Sequence, residues 1–407
     1  MGSTLNFLPA EEPSLGAKIK VVGVGGAGGN AVDRMILCGL TGVDFIAVNT
    51  DVQALDKNRA PNKVQIGRQL TKGLGAGANP EIGREAAEQD CEIIEEQLKG
   101  SDLVFITAGM GGGTGTGGAP KAAEIARKMG ALTVAIVTKP FLFEGRRRMS
   151  VAETGIKDLR EHVDTLIVIP NQRLLSVADA KTTLLMAFET ADSVLTQATR
   201  GISDLIAIPG IVNLDFADVR SVMEGMGDAL MGIGTAVGDE RGQDAAKKAI
   251  TCPLLEDVSI AGAQGVLVNI TGSSNTTLFE VNEAASVVYE AAGDRANVIF
   301  GAVIDDEITD ELRVTVIATG FNNAANAAVK LQPDRSYDFR PRKQVDLDVP
   351  TFVRKSEEPL ALQSVASGNG NGKNGNNNGK RIHLGEIDID RDPPDLNLPA
   401  FLRRNKG

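Results

Sequence analysis

The chain has no tryptophan and only two histidines, His162 and His383, in 407 residues. Phe and Tyr together make up 4%, too few for the row of stacking aromatics on which single-stranded nucleic acid lies. A metal centre built on imidazoles fails on the same scarcity. Cys38, Cys91 and Cys252 are odd in number and far apart. They match neither a disulfide framework nor a zinc spacing, which suits a reducing compartment. Positive charge is also short: the net charge is −11, and a nucleic-acid backbone repels such a surface. No apolar run approaches the roughly 18 residues of a membrane span. The start, MGSTLNFLPAEEPSLG, lacks a basic segment leading into an apolar one, and Asn6 stands where a myristoylation signal needs Ser or Thr. The expectation is a soluble cytoplasmic chain, with no nucleic-acid partner and no direct membrane insertion.

What the chain does have is apolar residues (42%) and 46 glycines, at a length suited to two or three domains. From Ile19 to about Leu205, the runs IKVVGV, DFIAVN, DLVFITAG, ALTVAIV and TLIVIP alternate with helical patterns. Such runs suit strands covered on both faces, with crossover helices between them. The stretch NPEIGREAAEQDCEIIEEQLKG reads as one helix, opened by Asn-Pro and closed by glycine. A long helical stretch from Thr182 to Ile206 ends at Pro209-Gly210. Beyond it, FADVRSVMEGMG and Leu278 to Ala292 read as helices, and GVLVNITG, NVIFGAVID and ELRVTVIATGF as strands. The expected fold class is α/β: a doubly wound, mostly parallel nucleotide-binding domain joined by a long central helix to a smaller α+β domain, with a disordered C-terminal tail.

The boundaries follow from texture. Residues 1–17 read as a flexible arm, 18–206 as the α/β domain including the central helix, and 207–321 as the α+β domain. Residues 322–381 read as a disordered linker; within it, 368–379 contain only five Gly, six Asn and one Lys. Residues 382–407 regain apolar side chains, Leu396, Leu398, Pro399, Phe401 and Leu402, beside Arg403 and Arg404. A sticky peptide on a tether of roughly 40–45 Å reads as a docking motif.

Three glycine segments carry the chemistry. In VVGVGGAGGNAVDRM, Gly23, Gly25 and Gly28 satisfy G-x-G-x-x-G after a strand and before a helix, so backbone N–H groups can meet a phosphate at the helix's positive end. Asp44 follows at the distance of a dinucleotide fold's ribose acid. The alternative use of such a loop is tight strand–helix packing. In MGGGTGTGGAPKAAEIARKMG, Gly111 to Gly118 contain six glycines around Thr114 and Thr116. Its amides can wrap a polyphosphate and its hydroxyls add hydrogen bonds, but no Gly-Lys-Ser/Thr follows, so it is not a Walker A loop. With the third segment, KGLGAGANPEIGRE, these turns imply one crowded phosphate pocket at the carboxyl edge of a sheet.

Together GVGGAGGN, AVNTD, GLGAGANP, GMGGGTGTGG, PFLFEGRRR, IPNQRL, NLDFADV and LNLPAFLRR resemble the FtsZ family, the tubulin-like GTPases of bacterial cell division, over essentially the whole chain. The resemblance implies a tubulin-like fold, GTP/GDP as ligand with Mg2+ bound alongside, and head-to-tail self-assembly into a division ring. It implies that Gly26, Ala27, Gly28, Gly29 and Asn30 contact the nucleotide, and that Gly113, Thr114, Gly115 and Thr116 hold its phosphates. It places Glu144 at the ribose and Arg148 at the nucleotide. Asn171 and Asp192 would bond the guanine edge, with Phe188 stacked on its face; the residues alone make Phe188 core and Asp192 a solvated acid.

NLDFADV brings Asn213, Asp215 and Asp218 together after the long helix. Two carboxylates and an amide can orient an attacking water, while helix capping is the plainer use of an aspartate there. The resemblance implies that these three enter the nucleotide pocket of the next subunit and complete hydrolysis. It also implies docking of division proteins and membrane-tethering adaptors through the terminal peptide, at the inner face of the membrane at the division site. Ala27, where many members have glycine, and Asn397, where an acid is common, depart from the family pattern. Two other readings stand beside this one: a dinucleotide-dependent (NAD-type) oxidoreductase, resting on the first loop and Asp44, and a scaffold that binds GTP without hydrolysing it.

Overall fold

The computed structural model describes residues 16–175, 182–208, 212, 214–255, 259–305 and 308–321. The linker, the terminal peptide with Leu396 to Arg404, most of the N-terminal arm and Asn213 lie outside the described residues. In chain order, the first half contains β1 (Ile19–Val24), α1 (Gly25–Leu37), β2 (Asp44–Asn49), α2 (Val52–Lys57), β3 (Asn62–Gln65), α3 (Arg68–Thr71), α4 (Pro80–Gln89) and α5 (Cys91–Leu98). It continues with β4 (Leu103–Gly109), α6 (Thr114–Lys128), β5 (Leu132–Lys139), α7 (Arg146–His162), β6 (Thr165–Pro170), α8 (Asn171–Leu174) and α9 (Leu184–Ala207). The second half contains α10 (Phe216–Met223), β7 (Gly227–Val237), α11 (Arg241–Ile250), β8 (Gly265–Gly272), α12 (Leu278–Ala292), β9 (Asn297–Ile304) and β10 (Glu311–Thr319).

Among the described residues, ten strands join one sheet in the order β3-β2-β1-β4-β5-β6-β7-β10-β8-β9. Only β10 runs antiparallel to its neighbours, β7 and β8. The continuous apolar runs have the expected cause. Along β1 and β4, Ile19, Val21, Leu103 and Phe105 enter a core shared with α1, α9 and α10, while Val22, Val24, Val104 and Ile106 enter a second core under α4 to α7. The seam between the halves is short: β6 and β7 pair over Thr165↔Gly227, Leu166↔Asp228 and Ile167↔Ala229. The long helix α9 crosses that seam, burying Val194, Leu195, Ala198, Ile202 and Leu205 in the first core.

Two details depart from the sequence reading. The stretch after Asn79 is two helices, because Asp90 leaves helical geometry and its carboxylate accepts the Gly67 N–H at 2.6 Å. In the second half, β7 and α11 went unread. Gly232 and Gly234 on β7 press against α11, where an added Cβ would stand 2.0 Å from the carbonyls of Ala249 and Ala245. Small residues on both sides make that contact, so neither segment shows a strong apolar pattern.

The second half is tied internally by a buried ion pair. Arg241 Nε donates to Glu280 Oε1 at 2.6 Å, and the other Glu280 oxygen accepts the Thr277 N–H at the start of α12. Removing one partner strands the other charge in a site that excludes water. Arg241→Ala should cost about 3 kcal/mol in a denaturant titration, whereas loss of less than about 1 kcal/mol would show that the pair is solvated.

Candidate nucleotide site and the acidic helix

The three glycine segments meet at the carboxyl edge of the parallel strands, backbone against backbone. A Cβ on Gly25 (φ +75°) would stand 2.7 Å from the Gly115 nitrogen, and one on Gly83 would stand 2.4 Å from the Gly113 oxygen. Gly117 approaches Pro80 still more closely. Much of the glycine content is therefore needed for packing of α1, α4 and α6. Gly26 and Gly112 face open space instead, which leaves their backbone open to a phosphate. Ala27 fits because its methyl lies over Gly109, where any side chain would collide with it.

The hydroxyls are already engaged. Thr114 Oγ1 and Thr50 Oγ1 are hydrogen-bonded at 2.7 Å, and Thr116 Oγ1 accepts the Gly111 N–H at 2.9 Å. Thr116 thus shapes the turn with its side chain. Thr50 was missed as a site residue, although AVNTD at the carboxyl end of β2 marked the position. Beside α1, a cleft of about 300 Å³ is lined by Gly26, Asn30, Asn49, Asp51 and Lys57 among others.

The remaining expected site residues come from the loop after β5 and the helices α7, α8 and α9. Glu144 accepts the Phe141 N–H at 2.9 Å and pairs with Arg148 at 3.0 Å, so it holds the loop's shape. Arg148 in turn lies against Gly111, where an added Cβ would be 2.7 Å from its side chain. Phe188 meets the buried Phe141 edge-on at 5.4 Å and is 38% exposed, so it is not the core residue its sequence context suggested. Asn171 is buried, and its Oδ1 is without a hydrogen-bond partner. Burial pushes Asp192 up to about 6; Arg34 on α1 pulls the other way, and Glu189 adds to the rise. A bare acceptor and a half-buried carboxylate suit a base edge that presents a ring N–H next to an exocyclic N–H, as guanine does; adenine sets its exocyclic donor next to a ring acceptor.

Asp215 and Asp218 lie at the opposite edge of the sheet. They cap α10 reciprocally: Asp215 Oδ1 accepts the Asp218 N–H at 2.8 Å, and Asp218 Oδ2 accepts the Asp215 N–H at 3.2 Å. Both side chains are exposed. α10 runs along the amino edge, since its Met223 carbonyl meets Thr165 at the start of β6 and Arg220 meets Gly130 just before β5. The helix that carries the acids is therefore anchored at the edge opposite the glycine turns. The same geometry removes the dinucleotide reading. Asp44 is the exposed first residue of β2, opposite Lys20 at the amino edge, where it cannot meet a ribose held at the carboxyl edge. His162 ends α7 near that same amino edge, 3.8 Å from Asp158.

Comparison with known proteins follows this division. The GTPase domain of the Tubulin/FtsZ family matches residues 18–179, and the C-terminal domain of the FtsZ family matches residues 227–322. Among solved structures, the FtsZ dimer of M. jannaschii is 46% identical with a TM-score of 0.73, covering 75% of this chain and 89% of that one. CetZ2 from Haloferax volcanii, solved as a GTPγS-bound protofilament, is 22% identical with a TM-score of 0.64, covering 77% and 98%; it shares the fold.

Asp204 on α9 is likewise pushed up to about 6 by burial. For both aspartates the folded value lies above the ordinary 3.8, so ionising them opposes folding. That cost is fully present above about pH 6 and disappears as they protonate towards about pH 4. Glu124, held down to about 2 by Lys128 and Lys121, keeps its ion pairs throughout this window. Without nucleotide, the wild-type melting temperature should therefore rise from about pH 7.5 to about pH 5 relative to an Asp192→Asn, Asp204→Asn double variant. Parallel pH profiles for the two proteins would contradict the assignment.

Proposed function

Since the chain belongs to the FtsZ family of tubulin-like GTPases, we propose that it binds GTP at the carboxyl edge of its sheet and assembles head-to-tail, each subunit's acids completing hydrolysis in its neighbour. The observation that carries this reading is the placement of Asp215 and Asp218 at the edge opposite the glycine turns. One molecule cannot bring the two together, but stacked copies can. Such contacts are heterologous and do not close, so they build filaments.

In this reading Gly26 to Asn30 and Gly113 to Thr116 offer amides to the phosphates at two helix N-termini. Glu144 and Arg148 wall the ribose side, Asn171 and Asp192 accept the guanine N–H groups, and Phe188 stacks on the base. The described residues contain no cluster of three or more His, Cys, Asp or Glu able to hold a metal. That fits an Mg2+ carried in on the phosphates, where it offsets their charge. Asp215, Asp218 and Asn213 then orient the attacking water. The exposed apolar side chains Leu74, Leu142, Phe143, Leu184 and Leu185 belong to the segments that carry the proposed site residues and suit burial against a second copy.

The larger role follows the family: a cytokinetic ring in bacterial division, at the inner face of the membrane. Residues 18–206 bind nucleotide and 207–321 carry the activating surface, while 322–381 tether a docking peptide, 382–407, for division proteins and membrane adaptors. No helix among the described residues is long and apolar enough to cross a membrane, which is consistent with recruitment through such adaptors.

GTP turnover per subunit, measured against protein concentration with light scattering in the same cuvette, tests the proposal. Turnover should appear above a threshold together with scattering. Asp215→Asn should keep GTP affinity within about twofold and lose at least about 100-fold in turnover. Turnover that is independent of concentration would place the catalytic groups within one chain. An assembled wild type with no turnover would leave a GTP-binding scaffold.

A further inference from the structure

Beyond its apolar packing, the helix that carries the acids makes three side-chain hydrogen bonds to other elements. Two come from threonine hydroxyls at its C-terminal end: Thr165, the first residue of β6, donates to the Met223 carbonyl, and Thr319, the last of β10, donates to the Val222 carbonyl at 2.7 Å. Both threonines are fully buried, and each comes from a different half of the sheet. This eight-residue helix is about 12 Å long, and its acid-bearing end is held by apolar packing of Leu214, Phe216 and Val219 and by the bridge from Val212 to Ala302, contacts that fix depth better than rotation about the helix axis.

The third comes from Arg220. Its guanidinium lies 5.1 Å over the ring of Phe216, one turn back on α10, and donates to the Gly130 carbonyl at 3.3 Å. Its Nε is buried with no hydrogen-bond partner. An arginine serving only solubility would turn that N–H to water; this one is kept against the ring and the turn. Gly130 lies just past the end of α6, whose first residue, Thr114, belongs to the phosphate turn. Arg220 therefore ties the acids to the same rigid helix that forms the subunit's own phosphate site.

We propose that Arg220 is a positioning residue for hydrolysis in the neighbouring subunit, setting where Asp215 and Asp218 stand by fastening α10 to the Gly130 turn. The inference rests on those acids acting between subunits. Arg220 works through α10 and makes no contact with the nucleotide of either chain.

The test measures three quantities on full-length Arg220→Ala and Arg220→Lys: GTP affinity below the assembly threshold, the threshold itself, and turnover per assembled subunit. The alanine variant should keep affinity within about twofold and the threshold within about threefold, yet turn over about tenfold more slowly, because small misplacements of catalytic groups cost rate before binding. Lysine, which can still donate to Gly130, should recover part of the rate. Wild-type turnover in the alanine variant would overturn the proposal, as would weakened GTP binding by unassembled subunits, or loss of folding or assembly in both variants. Asp215→Asn in the same assay separates the two levels. If it retains full turnover, the reading between subunits fails; if it is inactive while Arg220→Ala turns over normally, only the role of Arg220 fails.

Discussion

Backbone contact without intervening side chains is the constraint from which the rest of this molecule follows. Gly25 against Gly115, Gly28 against Thr107, Gly83 against Gly113 and Gly117 against Pro80 leave no room for a Cβ. Each glycine costs conformational entropy, about 1 kcal/mol against alanine, and that cost is met by a sheet buried on both faces. In return, the N-termini of α1 and α6 are brought together at one edge, which on the proposed reading makes one anion site.

The same constraint shapes what the turns contribute. Made of glycine, with the Thr114 and Thr116 hydroxyls already bonded to Thr50 and Gly111, they supply amides, while on the proposed reading a water is oriented by acids of another copy. The helix that bears those acids is anchored at the other end of the strands. An eight-residue strand such as β5 spans about 26 Å, so the sheet acts as a spacer between two half-sites. On the proposed reading, that spacing keeps a lone subunit inactive and makes assembly the switch.

The glycine turns and the strands buried on both faces could be read from sequence because their signals are local: an apolar run, a turn, a helix start. Two classes of feature could not. Asp90, β7 and α11 depend on partners distant in the chain, the Gly67 amide and small residues packed on small residues, and no periodicity announces such contacts. In the site, Phe188 and Asp192 sit on a helix whose pattern gives a core position and a solvated one. Their actual surroundings, Phe141 edge-on and a half-buried carboxylate facing Arg34, exist only after α9 docks. Family resemblance had pointed to those positions where spacing did not.

Capping and catalysis had been competing explanations for Asp215 and Asp218, yet the geometry makes them compatible. The reciprocal box uses Oδ1 of one carboxylate and Oδ2 of the other. That leaves each exposed side chain a second oxygen, already fixed in direction by the bond the first one makes. A carboxylate on a free loop would have to surrender side-chain and backbone freedom at the moment a neighbour docked. Here that freedom is lost on folding, when the box closes. The third residue of the set, Asp218, is fixed relative to Asp215 by three residues of helix rather than by a contact with the neighbour. On the proposed reading the acids thus arrive at a neighbour as a rigid pair, and what remains to be set is the orientation of the helix that bears them.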